Sequence, residues 1–439
     1  MPSLDQFKEF SFEIIQYAKQ KGASDVAVDL SACSGKSVSV RNQNIENLEN
    51  YEERSACIGV YLGKKHAKAN CSLLCLDALK ETADAALHIA HFSAEDSCAG
   101  LPDEADIVQH CVDLNLHHRQ NITMENAIEM AMQTEKFALD YSDKIQNSEG
   151  ANFSIHDGFF LSTHTHGFSQ GFPYSRYSLS ASVIAQENNT MQADFWFDSH
   201  CNLDKLQSVE TIGKTAAQRA LSRLNPKKIK MGVYPVLFEN TTALSLLSHF
   251  VQAASGGNLY RGASFLLNQK DNTVFSKNVH IVENPFLKEH LSSSCFDDEG
   301  VATKKQSIVD AGVLKTYFLS SYSARKLNLK PTGHAGGVHN LAMLPKEKSF
   351  SELVKTMNQG LIVTELLGQG VNLITGDYSR GASGFWVENG EIVHPVEEIT
   401  IAGNLKEMFL DIVDLGNDVL VRGAKSCPSL LIEKMTVAA

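Results

Sequence analysis

The chain has 439 residues, too many for one ordinary hydrophobic core, so two or three domains are expected. Hydrophobic residues make up 43% and charged residues 21%, the balance of a soluble globular protein. A formal charge of -12, with basic residues scattered and their longest cluster only Lys227-Lys228-Ile229-Lys230, excludes a surface built to wrap nucleic acid.

In chain order, residues 4–21 read as an amphipathic helix with Leu4, Phe7, Phe10, Ile14, Ile15 and Ala18 on one side. Its acids and lack of an apolar run are unlike a signal peptide, and no apolar segment in the chain approaches the ~18 residues needed to span a membrane. A cytoplasmic chain without membrane contact is expected. Val26–Leu30, Ser37–Arg41, Ile45–Glu53, Ala56–Leu62 and Lys65–Cys71 alternate like strands, with turns at Gly35-Lys36, Asn42-Gln43 and Gly63-Lys64. Leu73–Phe92 returns to helix, and residues 93–113 form a surface connection. Thr123–Ser142 and Val209–Ser222 read as helices flanking a strand-rich stretch, Ile145–Phe197, with turns at 147–150, 156–158 and 187–189.

Ile229–Phe238 is a strand leading into a helix from Asn240 or Thr241, stopped by Gly256-Gly257. Ala243, Leu246, Leu247, Phe250, Val251 and Ala254 form its apolar stripe, and a lone His249 sits within it. Short β segments follow: Val279–Glu283, Ser307–Val309, Val313–Leu319 and Leu341–Leu344. Ser351–Thr356 opens a short helix. Gly360–Leu367, Val371–Gly376, Gly384–Glu388 and Glu391–Val396 read as central strands, with Asn389-Gly390 a hairpin turn because both positions favour positive φ. The expected fold is α+β. An N-terminal α+β domain (1–220) carries an antiparallel sheet and helices, and a β-rich C-terminal domain spans 221–439.

Several stretches hold chemistry-bearing residues. His164-Thr165-His166 puts two imidazoles on one strand face, with His156 upstream, but lacks a nearby carboxylate or thiolate at ligand spacing apart from Asp157. Asp297-Asp298-Glu299-Gly300 lacks the spaced acids of a calcium loop and reads as a solvated turn. Gly333–His339 is a Gly-rich loop with two histidines, His334 and His339, and suits a peptide-facing or interface role. Residues 376–384 read as a tight loop closed by an Asp377–Arg380 contact. The nine cysteines are odd in number and dispersed; Cys71 and Cys75 match no strong metal or redox spacing, and buried free thiols are the reading, Cys427 included. The residues alone assemble no catalytic site.

Residues 376–404 (GDYSRGASGFWVENGEIVHPVEEITIAGN) resemble the signature of the TldD/PmbA family. So do Cys295–Val301 (CFDDEGV), Thr316–Gly337, Ala94–Gly100 (AEDSCAG) and Ser37–Asn47. The resemblance covers essentially the whole chain and is to the PmbA (TldE) branch rather than the TldD branch. It implies a bacterial intracellular metalloprotease system, in which TldD and TldE pair as a heterodimer and accept unfolded or extended peptides in an internal cavity. Family roles include peptide maturation and antitoxin degradation, and an older label is modulator of DNA gyrase; the acidic charge here argues against direct DNA contact. TldD carries H-E-x-x-x-H on a helix and a Cys near its C-terminus as zinc-binding and catalytic residues.

With His249 at the first His of that motif, Phe250 replaces the Glu and Ala254 the second His. Shifted by one residue, Ser248 and His249 stand at the His-Glu pair and Ala253 at the second His. Either way the general base and a ligand are missing. The resemblance therefore implies no catalytic residue, no metal site and no cofactor in this chain. His249 and Cys427 are remnants, and zinc is expected in a TldD-type partner. Tyr260, Arg261, His334 and Arg380 are expected to face the peptide cavity. Two alternatives stand beside this: a homodimeric peptide-binding or assembly protein without proteolysis, and an independent hydrolase using His164, His166 or His334.

Overall fold

A computed structural model describes residues 4–438. Its N-terminal half runs α1 (Leu4–Gln20), β1 (Asp25–Arg41), β2 (Asn44–Leu62), β3 (Lys65–Cys71), α2 (Leu76–Phe92), α3 (Met124–Leu139), β4 (Ile145–His164), β5 (Phe168–Glu187), β6 (Thr190–His200) and α4 (Val209–Ser222). The strands form one antiparallel sheet in the order β3-β2-β1-β4-β5-β6. Alternation along β1 sends Val26, Val28, Leu30, Ala32, Val38 and Val40 to one face. The helices α1 and α2 bury one end of that face, and α3 and α4 the other. On the opposite face Phe160 and Phe172 pack against Phe296 of the C-terminal half.

Several expected turns lie inside strands. The segments expected as separate strands at Val26–Leu30 and Ser37–Arg41 are one strand, and so are Ile45–Glu53 and Ala56–Leu62. Gly35 is not a turn residue: a Cβ there would stand 2.3 Å from the Tyr51 ring and 2.7 Å from the Ile155 carbonyl. Its missing side chain lets neighbouring strands cross closely, a use of glycine that local sequence does not separate from a bend. Gly158 plays the same part against Cys33. The bend between β4 and β5 falls instead at Thr165–Gly167, where Gly167 has φ +82°. The turns at Asn42-Gln43, Gly63 and Asn188-Asn189 stand where the sequence placed them, all at positive φ.

The C-terminal half runs β7 (Gly232–Phe238), α5 (Asn240–Ala253), α6 (Gly256–Tyr260), β8 (Ile281–Glu283), β9 (Gln306–Asp310), β10 (Val313–Leu314), α7 (Ser321–Leu327), β11 (Leu341–Met343), α8 (Phe350–Met357), β12 (Gly360–Leu367), β13 (Asp377–Glu388), β14 (Glu391–Asn404), α9 (Leu405–Leu410), β15 (Ile412–Leu415), β16 (Leu420–Arg422), β17 (Lys425–Cys427) and β18 (Leu430–Ala438). One sheet is ordered β14-β13-β12-β7-β18-β15, and β14 also pairs with β18 through Ile401 and Val437. That pairing closes β7, β12, β13, β14 and β18 into a five-stranded barrel, which removes exposed edges at the join. A second sheet, β10-β9-β8-β11-β17-β16, lies beside it.

Further expectations are corrected in this half. Residues 377–384 are not a loop but the first part of β13, paired to β14 from Asp377↔Asn404 onward. Asp377 bonds Thr375 and Asn404 rather than Arg380. Gly376, Gly381 and Gly384 suggest a turn; Gly384 instead lets backbones approach, a hypothetical Cβ standing 1.8 Å from the Ile362 carbonyl oxygen, as does Gly370 outside the segment, at 1.9 Å from that of Ser379. Val371–Gly376 is correspondingly irregular and joins β13 through a single bridge at Val371↔Tyr378. Helix α5 begins after Glu239, whose carbonyl accepts from Ala243 at 2.8 Å, with no side-chain cap from Asn240 or Thr241. Gly256-Gly257 does not simply stop it but opens α6; Gly256 sits so close to Ser323 that a Cβ would stand 2.2 Å from its hydroxyl oxygen.

Candidate functional site: a cationic cavity beside helix α5

Helix α5 follows β7 out of the barrel and buries its apolar stripe. Phe250 is fully buried against Phe275, Phe318 and Phe409, with ring centroids 5.1, 6.1 and 6.4 Å away. Ala253 and Ala254 are also fully buried. The positions where a metal-site helix would place its base and second ligand are thus packed in the core.

The other side of α5 lines a cavity of about 570 Å³, within the roughly 300–1,000 Å³ of small-ligand pockets. Its walls are Ala193–Phe197 of β6, Arg219 of α4 and Arg223 just after it, Thr241, Ser245 and Ser248 of α5, Thr364–Leu366 of β12, Arg380 of β13, and the β16–β17 hairpin with Arg422 and Lys425. Among the described residues β6 pairs only with β5, so this cavity borders a sheet edge.

Its charges fall into two groups. Arg219 pairs with Asp194 at 3.2 Å and Glu239 at 3.1 Å; Arg223 pairs with Asp194 at 3.4 Å and with Glu365. Those guanidinium groups are neutralised. Across from them, Lys425 Nζ donates to Ser248 Oγ at 2.5 Å, and Arg380 Nη2 donates to the Leu366 carbonyl at 3.3 Å. Neither has a carboxylate partner within 4 Å among the described residues. Arg422 lies over the Trp196 and Phe197 rings at 4.8 and 4.2 Å and reaches Asp198 only at 3.6 Å. Burial pulls the Lys425 ammonium below its ordinary value, and burial ahead of Asp198 does the same to Arg422.

His249 adjoins this wall. Its ring meets the Tyr378 ring edge-on, with centroids 6.1 Å apart. Burial, then the charges of Arg380 and Lys425, pushes its imidazole down to about 4, so it is neutral at pH 7. Five buried atoms in or beside the cavity have no hydrogen-bond partner: His249 Nε2, Thr364 Oγ1, Tyr378 Oη, Arg380 Nε and Arg422 Nη2. Four of the five belong to groups able to donate a proton whatever their tautomer.

The zinc set that the family resemblance implies for a sister chain does not fit here. The two cations nearest His249 repel a divalent ion, and Phe250 and Ala254 offer no ligand atom. Cys427 is fully buried, its Sγ 3.8 Å from Met343 Sδ, and burial drives its thiol far above the usual range. Among the described residues no group of three or more His, Cys, Asp and Glu side chains could hold a metal.

The expected peptide-facing residues do not converge. Arg380 alone lines this cavity. Tyr260 ends α6 and Arg261 follows it; Tyr260 packs edge-on with Tyr322 at 5.7 Å and the exposed Arg261 covers the Tyr260 ring. His334 is corrected: its side chain is wholly buried, bonding Glu283 at 2.8 Å and Thr332 at 2.8 Å. Tertiary packing of the Gly-rich loop on β8 puts it there. His164 and His166 share no strand face, because His166 lies in the turn and pairs with Asp25 at 3.2 Å. His164 is buried at the end of β4 and pushed down to about 4 by burial first and His166 second. The hydrolase alternative therefore finds no assembled group around these three histidines.

Ser248, Thr364, Arg422 and Lys425 were not found from sequence as a site. They come from three separate segments, and only Ser248 lies on the helix that the family resemblance singles out.

Three segments of the chain match the family described as PmbA/TldA metallopeptidase: its domain 1 at residues 26–90, its central domain at 118–224 and its C-terminal domain at 231–439. The chain is 43% identical over 418 residues to Metalloprotease PmbA of Escherichia coli O157:H7, covering 95% of this chain and 93% of the relative. It is 42% identical over 425 residues to a Haemophilus influenzae Metalloprotease PmbA homolog, covering 97% and 94%. Among solved structures, a Bacteroides thetaiotaomicron protein named for modulation of DNA gyrase superposes with a TM-score of 0.93 at 27% identity, covering 98% of each chain. TldE from Thermococcus kodakarensis shares the fold, with a TM-score of 0.87 at 19% identity over 98% of this chain and 100% of that one.

Proposed function

This chain belongs to the PmbA/TldA metallopeptidase family, and from that premise we propose that it is the peptide-handling, non-catalytic subunit of a two-chain metallopeptidase. The zinc and the attacking water would belong to a TldD-type partner; the family also contains chains named TldD, one matching half of this chain at 25% identity. One observation carries the reading. At α5, Phe250 and Ala254 are core residues and the neighbours of His249 are the cations Arg380 and Lys425, an arrangement that supports placing the Lewis acid on another chain. Its substrates would be unfolded or extended peptides, for which the one-sided edge of β6 along the cavity provides backbone pairing groups.

The test is a metal and activity assay of the lone chain, of a TldD-type chain, and of the two mixed. The lone chain is expected to hold no stoichiometric zinc and cleave no unstructured peptide, with activity appearing on mixing. Tight one-to-one zinc in the lone chain, or peptidase activity without a partner, overturns the proposal.

A further inference from the structure

The buried atoms lacking partners are not spread evenly through the molecule. His249 Nε2, Thr364 Oγ1, Tyr378 Oη, Arg380 Nε and Arg422 Nη2 gather at one cavity, which already holds two cations without carboxylates. A buried donor with no acceptor is costly, and so is a half-buried cation with no counter-charge. The surplus here is of donors and positive charge, in a chain whose overall charge is -12. An acceptor of negative charge satisfies both surpluses at once.

From this we propose that the cavity between β6, α4, α5 and the β16–β17 hairpin is a carboxylate-binding site, receiving the carboxylate of an extended peptide between Lys425 and Arg380. The inference rests on the peptide-handling reading and adds the end or side chain that is recognised.

The geometry supports the assignment from each side. Lys425 and Arg422 are cross-strand neighbours on the hairpin, joined through the positive-φ Gly423. Ser248 holds the Lys425 ammonium from α5, and its hydroxyl is itself committed to the Leu244 carbonyl at 2.8 Å. Arg380 approaches from the barrel strand β13 with Nε free of any partner. The acids in the wall are already engaged, Asp194 with Arg219 and Arg223, and Glu365 with Arg223. They neither neutralise Arg380 and Lys425 nor repel an incoming carboxylate alone. The Trp196 and Phe197 rings beside Arg422 give an apolar wall for the residue carrying that carboxylate.

The carboxylate has two possible sources, a free C-terminus or an Asp or Glu side chain, and the test separates them. Thermal unfolding of the full chain is followed in N-acetylglycine and in N-acetylglycinamide at fixed ionic strength. The acid is expected to raise the midpoint and the amide to leave it unchanged. In Lys425→Met and Arg380→Met the acid's affinity falls roughly tenfold or more, as loss of a charge-assisted bond implies. The wild-type contrast needs no variant to fold; equal responses to acid and amide overturn the site.

A second arm measures binding of an unstructured Gly/Ser/Ala octapeptide with a free C-terminus, of its C-terminal amide, and of the amide carrying one internal Glu. Tight binding of the free acid alone assigns the C-terminus; recovery by the internal Glu assigns a side chain. Equal binding of the free acid and the plain amide leaves peptide handling standing and removes the carboxylate site. Response to N-acetylglycine with no binding of any peptide keeps the carboxylate site and removes peptide handling by this chain.

Discussion

Glu283 and His249 both sit among buried polar groups of the C-terminal half, and their surroundings treat them oppositely. The Glu283 carboxylate accepts from His334 at 2.8 Å, the His339 backbone N–H at 2.7 Å and Gln306 at 3.1 Å, with only His339 Nε2 in that cluster left over. Around His249 the donors outnumber the acceptors and two cations lack counter-charges. A satisfied cluster of this kind fixes the position of β8 against the Gly-rich loop. An unsatisfied one is stable only because the rest of the fold holds it, and it is the place where an external group gains most from binding. Pairing, rather than the presence of histidine, separates structure from site here.

The sharpest way to break this comparison is to remove one member of the paired cluster. Glu283→Ala is expected to cost about 3–5 kcal/mol, because it strands His334 and the His339 N–H in the interior. Chemical unfolding at pH 7 measures it, and a loss below about 1 kcal/mol means the pairing is not structural.

A middle-sized effect lies in the pH dependence. Burial, with Arg380 and Lys425, holds His249 at about 4 against an ordinary value of 6.5. The unfolded chain therefore takes up a proton that the folded chain refuses, so stability present above pH 6.5 is lost as pH falls toward 4. The loss is on the order of 2–3 kcal/mol. His249→Phe should reduce the loss across that window in unfolding curves measured from pH 7 to 4.5, leaving the part contributed by His164, which burial also holds at about 4. Burial raises the Glu283 carboxyl, but its bonds to His334, His339 and Gln306 outweigh that and hold it below its usual value. Its contribution survives this window and fails only at lower pH. A His249→Phe curve with the same pH slope as the parent between pH 7 and 4.5 would show that His249 is not shielded.

The smallest effect is expected at the cavity itself. Arg380→Met and Lys425→Met should stay within about 1 kcal/mol of the parent, because each replaces a poorly paired cation by an apolar side chain. Thermal or chemical unfolding without ligand decides this. A loss of about 3 kcal/mol or more would place these two residues with Glu283 as structural partners.

Much of the scaffold was legible in the sequence. Thr123 was expected at the start of a helix, and it caps α3 by accepting from Asn126 N–H. The α4 bounds, the β3 bounds and the Asn389-Gly390 turn follow from periodicity and turn chemistry, which act within a few residues. The glycines at 35, 158 and 384 misled the reading. Their cause is a neighbouring strand tens of residues away, and that neighbour leaves no mark on the local pattern. His334 was misjudged likewise: its Gly-rich surroundings suggested exposure, while its partner Glu283 lies 51 residues earlier.

For the site, the sequence sets an expectation at helix α5. In one register of the family resemblance Phe250 and Ala254 stand at the positions of a base and a ligand, and neither side chain can act as one. What stands there instead was decided by tertiary structure. Lys425 meets Ser248 across 177 residues, and Arg380 arrives on a strand that the sequence alone read as a loop. Long-range pairing closes the barrel and brings these charges beside His249. Coulomb and desolvation effects depend on distance in space, so the site appears only once the chain has folded.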